Sequence, residues 1–359
     1  MKYIEFGILR IFLLFPLLHP IFCFIKSIIE KKLEKETKDK LQDYLAFFIF
    51  EHAGFILQII PEIISRIRQK RTNLDIIERS IDTQKFIFSN LNFFDFKVIG
   101  LILITNILES YPEMICISIV TNSSFYFYLA RFFLLFFTAI ESFFILDIVI
   151  FKHQYLGMII IFISTFFIII ISNCYIEFNF ISTVGEIFIL FSSSLALVIN
   201  KMILEFYFIS PFMILFVQGI SGLIIDSILL IIFIMINLFS INDFFDFFFN
   251  EINLFMFISY SILYSLTNMF ILLTTFYFSP TMVMVSDFIS AFALDIMEKL
   301  EWYKIVSYII LIFGCLIYNE IIILKFCELQ KFTQKEIILR GQIDIKNEDD
   351  SSSEDNNIL

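Results

Sequence analysis

The sequence predicts an all-α polytopic membrane protein with about ten transmembrane helices in two inverted five-helix repeats. Two observations predict this class. Of the 359 residues, 59% are hydrophobic and only 17% are charged, whereas soluble domains are about half apolar and about a quarter charged. The apolar residues also form runs of about 20, the length that a helix needs to cross a hydrocarbon core about 30 Å thick.

The predicted spans are separated by short polar links. In chain order they cover residues 4–25, 44–64, 97–120, 122–151, 155–172, 181–204, 211–239, 254–278, 280–297 and 302–325. We expect the first span to be retained as an anchor, because no small-residue cleavage site follows it. Residues 1–173 are expected to form the first five-helix half, residues 174–327 the second half, and residues 328–359 a disordered acidic cytoplasmic tail.

The distribution of basic residues predicts that both termini are cytoplasmic. With ten spans, the N-terminus, the link after the second span and the C-terminus lie on one side of the membrane. That side holds most of the basic residues, among them Arg66, Arg68 and Arg71, and basic residues are enriched on the cytoplasmic side. The lysine-rich link at residues 30–43 lies on the other side and argues against this orientation.

The composition disfavours several other classes of function. A formal net charge of −11 argues against nucleic-acid binding, which needs a clustered basic surface. The five cysteines have no CxxC or other metal-ligand spacing and are expected to be free thiols. The three histidines are scattered along the chain, so no metal site is expected. Since no nucleophile–base pair or phosphate-binding glycine loop is found, we expect neither an enzyme nor a cofactor.

Three polar residues recur on one face of the third span. Asn106, Glu109 and Glu113 are spaced i, i+3 and i+7. Two carboxylates one turn apart in a low dielectric repel each other, so one of them is expected to hold a proton near neutral pH. The pattern predicts a proton or cation site that faces a cavity. The alternative is a bent, water-exposed helix end near Pro112.

A weak internal repeat relates the fourth span to the ninth. Ser123 and Ser279 each stand eight residues before a charge, which is Arg131 in one span and Asp287 in the other. Charges within apolar runs mark functional sites, and repeats of this kind are typical of transporters with a site between two halves. We expect both helices to line a central cavity in which Arg131 and Asp287 form a gate or a substrate-displaced ion pair. The third-span acids and Glu141 are other candidate partners of Arg131, and a chance similarity between two Phe-rich helices is the alternative to a repeat.

Other polar residues have simpler structural interpretations. Gln218 and Asn268 could hydrogen-bond between helices, which is the usual role of amides in membranes. Gly219 and Gly222 are expected to permit close helix contact. Lys201 and Glu205 are four residues apart and are expected to pair at a helix end.

Two segments near the end of the chain resemble a known family. SPTMVMVSD, which begins at Ser279, and FGCLIYNEI, which begins at Phe313, resemble segments of solute carrier family 35 in the drug/metabolite transporter superfamily, and of its F-type members in particular. The first segment fits a Ser-Ala-Thr-Thr-Arg-x-x-x-Asp pattern and the second fits a Gly-x-x-x-Tyr-Asn-Glu pattern. The residues that match are Ser279, Thr281, Asp287, Gly314, Tyr318, Asn319 and Glu320.

Weaker likenesses extend the resemblance over residues from about 45 to about 325. They are Glu51, Gly185, Glu186, Pro211, Gly219, Gly222 and Asn268, with Gln218 in place of a family Glu. The chain also departs from the family pattern. Val283 and Ser290 replace two family arginines, and a Pro-x-x-x-Asp motif is represented only by Asn106. An anionic substrate bound by those arginines would not be shared.

The resemblance implies a secondary active transporter of a small polar metabolite, similar to nucleotide-sugar transporters, that works by alternating access. It also implies an endomembrane location, in the Golgi, endosomes or lysosomes. The expected partners are a small-molecule substrate and the lipid bilayer, and a homodimer stays open. The predicted substrate-binding residues are Asn106, Glu109, Glu113, Arg131, Gln218, Asn268, Ser279, Thr281 and Asp287. The alternative is a non-transporting membrane scaffold or receptor, in which the buried acids would pair internally and leave no water-filled cavity.

Overall fold

The computed structural model describes residues 18, 20–22, 24–26, 29, 40–71, 93–116, 124–147, 150–172, 180–207, 209–236, 251–277, 280–283, 289 and 302–324. Within these ranges the chain is helical and contains no strand. The helices are α1 (Lys40–Ile56), α2 (Ile59–Arg71), α3 (Phe93–Cys116), α4 (Ser124–Leu146), α5 (Lys152–Ser172), α6 (Phe180–Phe206), α7 (Pro211–Met235), α8 (Glu251–Tyr277) and α9 (Trp302–Tyr318).

Several of these helices can cross a membrane. Five stretches in the described ranges are both long and apolar enough: Leu45–Ser65, Phe96–Cys116, Phe180–Phe206, Pro211–Met235 and Leu254–Tyr277. Many of their apolar side chains face outward; Phe255 and Met235, for example, are 73% and 76% exposed. Such surfaces are stable against lipid, so the chain is an integral membrane protein.

The predicted spans fall on these helices wherever the structure describes them. The second span covers most of α1 and the first part of α2, which are separated by a short turn at Leu57 and Gln58. The third to eighth spans and the tenth span each fall on one helix. Most of the first and ninth spans, and the predicted tail, lie outside the described residues.

Helix α3 does not end at its proline. It continues through Pro112 to Cys116, and both Tyr111 and Pro112 are buried. The finding argues against a water-exposed helix end at this point. The interior of the third span is therefore available to build a site.

Helix α1 lies at the centre of one group of helices. It packs against α3, α7 and α8, while α6 packs against α3 on one side and α4 on another. Helices α4, α5 and α9 form a second set of contacts around Leu135, Ile161 and Leu311. The two sequence halves are thus interleaved, because α1 of the first half packs on α7 of the second, and α5 packs on α9.

Glycines allow α5 and α9 to approach closely. A Cβ added at Gly157 would lie 2.7 Å from the backbone nitrogen of Tyr318. One added at Gly314 would lie 2.8 Å from Cγ1 of Ile161. Real Cβ atoms do not approach other atoms this closely, so both positions require the absence of a side chain. The described cysteines, Cys116 and Cys315, are buried free thiols.

Candidate functional site: a polar belt around His52 and Asp226

A histidine and an aspartate form a fully buried pair between α1 and α7. Nδ1 of His52 lies 2.7 Å from Oδ2 of Asp226, and both side chains are 0% exposed. His52 is near the middle of the second predicted span, and Asp226 is near the middle of α7. Ionisable residues are rare at such positions in membrane proteins, and they usually mark ion or substrate pathways.

Helix α3 supplies further partners to this pair. Nε2 of His52 lies 3.1 Å from Oδ1 of Asn106, and the hydroxyl of Tyr111 donates to Oδ1 of Asp226 at 2.8 Å. Asn106 also donates through Nδ2 to the carbonyl of Gln218 at 3.4 Å. The amide of Gln218 donates to Oγ1 of Thr105 at 3.1 Å. Three helices are therefore joined by a connected set of buried polar side chains.

The buried polar contacts continue from α1 to α8. The hydroxyl of Tyr260 donates to Oε1 of Glu51 at 2.6 Å, and both residues are buried. Because Glu51 and His52 are adjacent in sequence, the two sets of contacts adjoin each other. We call these six residues the polar belt: Glu51, His52, Asn106, Tyr111, Asp226 and Tyr260.

Glycines on α7 create the space for the imidazole of His52. A Cβ added at Gly222 would overlap the imidazole atoms Cγ, Cδ2 and Nε2 of His52. A Cβ added at Gly219 would lie 2.8 Å from the carbonyl oxygen of His52 and 2.9 Å from Cβ of Phe55. The prediction that Gly219 and Gly222 permit close helix contact is confirmed.

The hydrogen-bond roles fix where the protons of the central pair lie. Asn106 directs its amide nitrogen to a carbonyl, so its oxygen faces His52 and can only accept a hydrogen bond. Nε2 of His52 therefore donates, and one further proton lies between Nδ1 and the carboxylate of Asp226. The pair is neutral as a whole, which a low-dielectric interior tolerates better than a lone charge.

This arrangement can do two things chemically. It can take up or release one proton when the pair is opened to water. It can also exchange its internal hydrogen bonds for hydrogen bonds to a polar ligand that reaches the belt. In the described ranges, no group of three or more His, Cys, Asp or Glu side chains could hold a metal ion.

The structure brings some of the sequence-predicted residues to the belt. Asn106 is a member, and Gln218 adjoins it through Thr105 and Asn106. Glu109 is half-buried on the same helix and close enough to His52 for an electrostatic interaction. Glu113 and Arg131 lie on α3 and α4, and their side chains are outside the described part of the chain.

Other predicted residues lie elsewhere. Thr281 donates to Oδ1 of Asn319 at 2.9 Å, so the two segments of the family resemblance touch each other. Asn268 donates to the carbonyl of Tyr264 on its own helix, at 3.2 Å. Ser279 and Asp287 fall outside the described residues, so their proximity to Arg131 stays a prediction.

Two simpler expectations from the sequence are confirmed. Gln218 makes a hydrogen bond between helices, to Thr105. Lys201 pairs with Glu205, with Nζ 2.7 Å from Oε1. Nζ of Lys201 also donates to the carbonyl of Phe276 at 3.0 Å, so this pair helps to join α6 to α8.

Sequence reasoning missed the two central residues of the belt. His52 is one of three histidines scattered along the chain, and Asp226 belongs to none of the patterns described above. A usable signal existed for Asp226, because it is an ionisable residue within an apolar run, as Asp287 is. No signal in the sequence joined Asp226 to His52, which is 174 residues away.

No family model matches the chain, and no curated protein does either. The geometry of the belt and the sequence resemblance described above are therefore the features that bear on function.

Proposed function

We propose that the protein is a secondary active transporter of a small polar metabolite, that it works by alternating access, and that the polar belt is its coupling site. The observation that carries the proposal is the His52–Asp226 pair, which is completely buried among helices long enough to cross a membrane. Polar groups at this depth destabilise a membrane protein unless they are satisfied, and proton relays and substrate pathways are their usual role.

The packing of the helices supports two inverted repeats. In an inverted repeat of two five-helix halves, the second span corresponds to the seventh and the fifth span to the tenth. A two-fold relation between the halves then allows the two members of each pair to contact each other. Accordingly, α1 packs on α7, and α5 packs on α9. The third span likewise corresponds to the eighth, so the two-fold relation pairs the contact of α1 with α8 with a contact of α7 with α3. Both contacts are present.

The family resemblance gains support from one contact. The hydrogen bond from Thr281 to Asn319 joins the two segments that resemble solute carrier family 35. From the family resemblance and the distribution of basic residues we further propose a metabolite transporter similar to nucleotide-sugar transporters, located in an endomembrane with both termini in the cytoplasm. The residue set proposed for substrate and coupling is the polar belt together with Glu109, Glu113, Gln218 and Thr281, and with Arg131 and Asp287 as a gate.

One observation favours the alternative of a non-transporting scaffold or receptor. Both nitrogens of His52 and both oxygens of Asp226 have partners within the chain. Such saturation is expected where buried polar groups serve only to fix helix register. The two functions differ in whether water and solutes reach the belt.

Uptake into proteoliposomes tests the proposal. The full chain is reconstituted and offered nucleotide sugars, nucleotides, amino acids and cationic drugs, with and without a pH gradient. We expect accumulation of at least one of these classes, with a rate that depends on the pH gradient, because the belt exchanges a proton. Empty liposomes give the background. A folded, correctly reconstituted chain that accumulates none of them above this background would favour the scaffold or receptor.

A further inference from the structure

Another buried carboxyl group lies within α4, outside the polar belt. Glu141 is 6% exposed. Among the residues that the structure describes, no group donates to either of its carboxyl oxygens with good hydrogen-bond geometry. It faces Ser194 across the packed interface of α4 with α6. A carboxylate in such surroundings is strongly disfavoured unless a proton or a cation neutralises it.

Two hydroxyl groups on these helices donate their protons to backbone carbonyls. The hydroxyl of Ser194 donates to the carbonyl of Phe191 at 2.9 Å. That of Thr138, one turn before Glu141 on the same helix, donates to the carbonyl of Leu134 at 2.7 Å. Towards Glu141 these oxygens can only accept a hydrogen bond. Acceptance requires that Glu141 itself carries the proton.

The charged groups of α6 are distant from this carboxyl. Glu186 stands eight residues before Ser194 and Lys201 seven residues after it, which are about 12 Å and about 10 Å along the axis at a rise of 1.5 Å per residue. Lys201 is bound to the carbonyl of Phe276 and to Glu205.

The charged groups of α4 and α5 also lie away from the carboxyl group of Glu141. Lys152 and His153 lie in the first turn of α5, beyond the last residue of α4, and Nε2 of His153 accepts a hydrogen bond from the backbone of Leu324 at 3.2 Å. Arg131 stands ten residues before Glu141 on α4, a rise of about 15 Å. Asp147, at the end of α4, is exposed. A proton is thus the neutralising partner that the geometry favours.

We propose that Glu141 is a proton-binding site, distinct from the polar belt. It holds its proton as a neutral acid while α4 and α6 are in contact, donates that proton towards Ser194, and releases it to water when the two helices part. The parting of these helices as a step in transport rests on the proposed function. The proton-binding site itself does not.

A membrane-soluble carbodiimide tests the site directly. Such a reagent reacts with a protonated carboxyl group in apolar surroundings. The carboxyl oxygen bonds to the central carbon of the reagent, and the acid proton moves to one of its nitrogens. An O-to-N acyl shift then gives a stable N-acylurea that retains every atom of the reagent.

The full chain is reconstituted in liposomes, treated with dicyclohexylcarbodiimide at a series of pH values, and digested for mass spectrometry. We expect the Glu141 peptide to gain the mass of one reagent molecule, and the gain to disappear as the pH rises. Glu205, which is 44% exposed and paired with Lys201, is the internal control and should stay unmodified. Glu141→Gln should remove the modification and remain folded on size-exclusion chromatography, because glutamine imitates the protonated acid.

Absence of the modification at Glu141 would overturn the proposal, and so would two other outcomes. One is modification of Glu141 and Glu205 to the same extent, which would mean that Glu141 is an ordinary accessible acid. The other is protection of Glu141 by sodium at constant pH, which would indicate a cation site. Because the modification needs no transport, a chain that does not transport can still support a proton-binding site at Glu141. A chain that transports but leaves Glu141 unmodified contradicts the proton-binding site and leaves the proposed transport function standing.

Discussion

Replacing Asp226 with asparagine is expected to destabilise the protein by about 3–5 kcal/mol, the usual cost of removing one partner from a buried ion pair. The variant retains the shape of the side chain but removes the negative charge that faces Nδ1 of His52 at 0% exposure. The double variant His52→Gln/Asp226→Asn removes both charges and should lose less stability than Asp226→Asn alone. Thermal unfolding of purified protein in detergent, followed by size-exclusion chromatography, measures the difference.

The matched control for this series is Asp147→Asn. Asp147 is exposed and has a φ of 54°, a left-handed conformation that asparagine adopts readily. It should unfold at the same temperature as the unaltered chain. If Asp226→Asn were as stable as this control, the His52–Asp226 pair would contribute nothing as a charge pair, and the belt would lose its centre.

Adding a single methyl group at Gly222 is expected to have the next largest effect. In Gly222→Ala the new Cβ overlaps the imidazole ring of His52, so either α1 and α7 separate or the ring rotates. Overpacking of this kind costs about 1–3 kcal/mol by itself. Rotation of the ring would also break the hydrogen bonds to Asp226 and Asn106. We expect a large loss of folded protein, measured as the monodisperse fraction after solubilisation.

Gly100 provides the control for the glycine substitution. It lies on α3, and a Cβ added there meets nothing within 4 Å. Gly100→Ala should be neutral or slightly stabilising, by up to about 1 kcal/mol, because alanine favours the helix. Equal stability of Gly222→Ala and Gly100→Ala would mean that α1 and α7 do not pack as described.

Much of the helical framework could be predicted from the sequence, because apolar runs of membrane length depend on local composition alone. The ends of α7 illustrate this point, since Ser210 accepts a hydrogen bond from Met213 and Pro211 occupies the first helical position. The role of Gly219 and Gly222 was also predictable, because small residues at helical spacing favour close packing in membranes.

The centre of the candidate site was not predictable in the same way. The acids of the third span drew attention because they share one helix, and local spacing reveals such a pattern. The belt instead joins His52, Asn106, Asp226 and Tyr260 from four helices. Which polar residue of one helix meets which residue of another depends on packing angle and depth, and a single sequence contains neither. Glu141 needed the structure for the same reason, since the burial of its carboxyl group is a property of the packing of α4 against α6.

Alternating access requires that water reach the polar belt from each side of the membrane in turn, and the accessibility of a cysteine beside the belt measures this. Thr105, 0% exposed and bonded to Gln218 beside the belt, is changed to cysteine in a chain without the five native cysteines. Its neighbour Ile104 is 45% exposed on the apolar surface, and Ile104→Cys is the control. If access alternates, we expect a charged, membrane-impermeant thiol reagent to modify Thr105→Cys in sealed vesicles of either orientation and to modify Ile104→Cys in neither. Modification of Thr105→Cys from neither side, in a folded protein, would contradict alternating access at the belt.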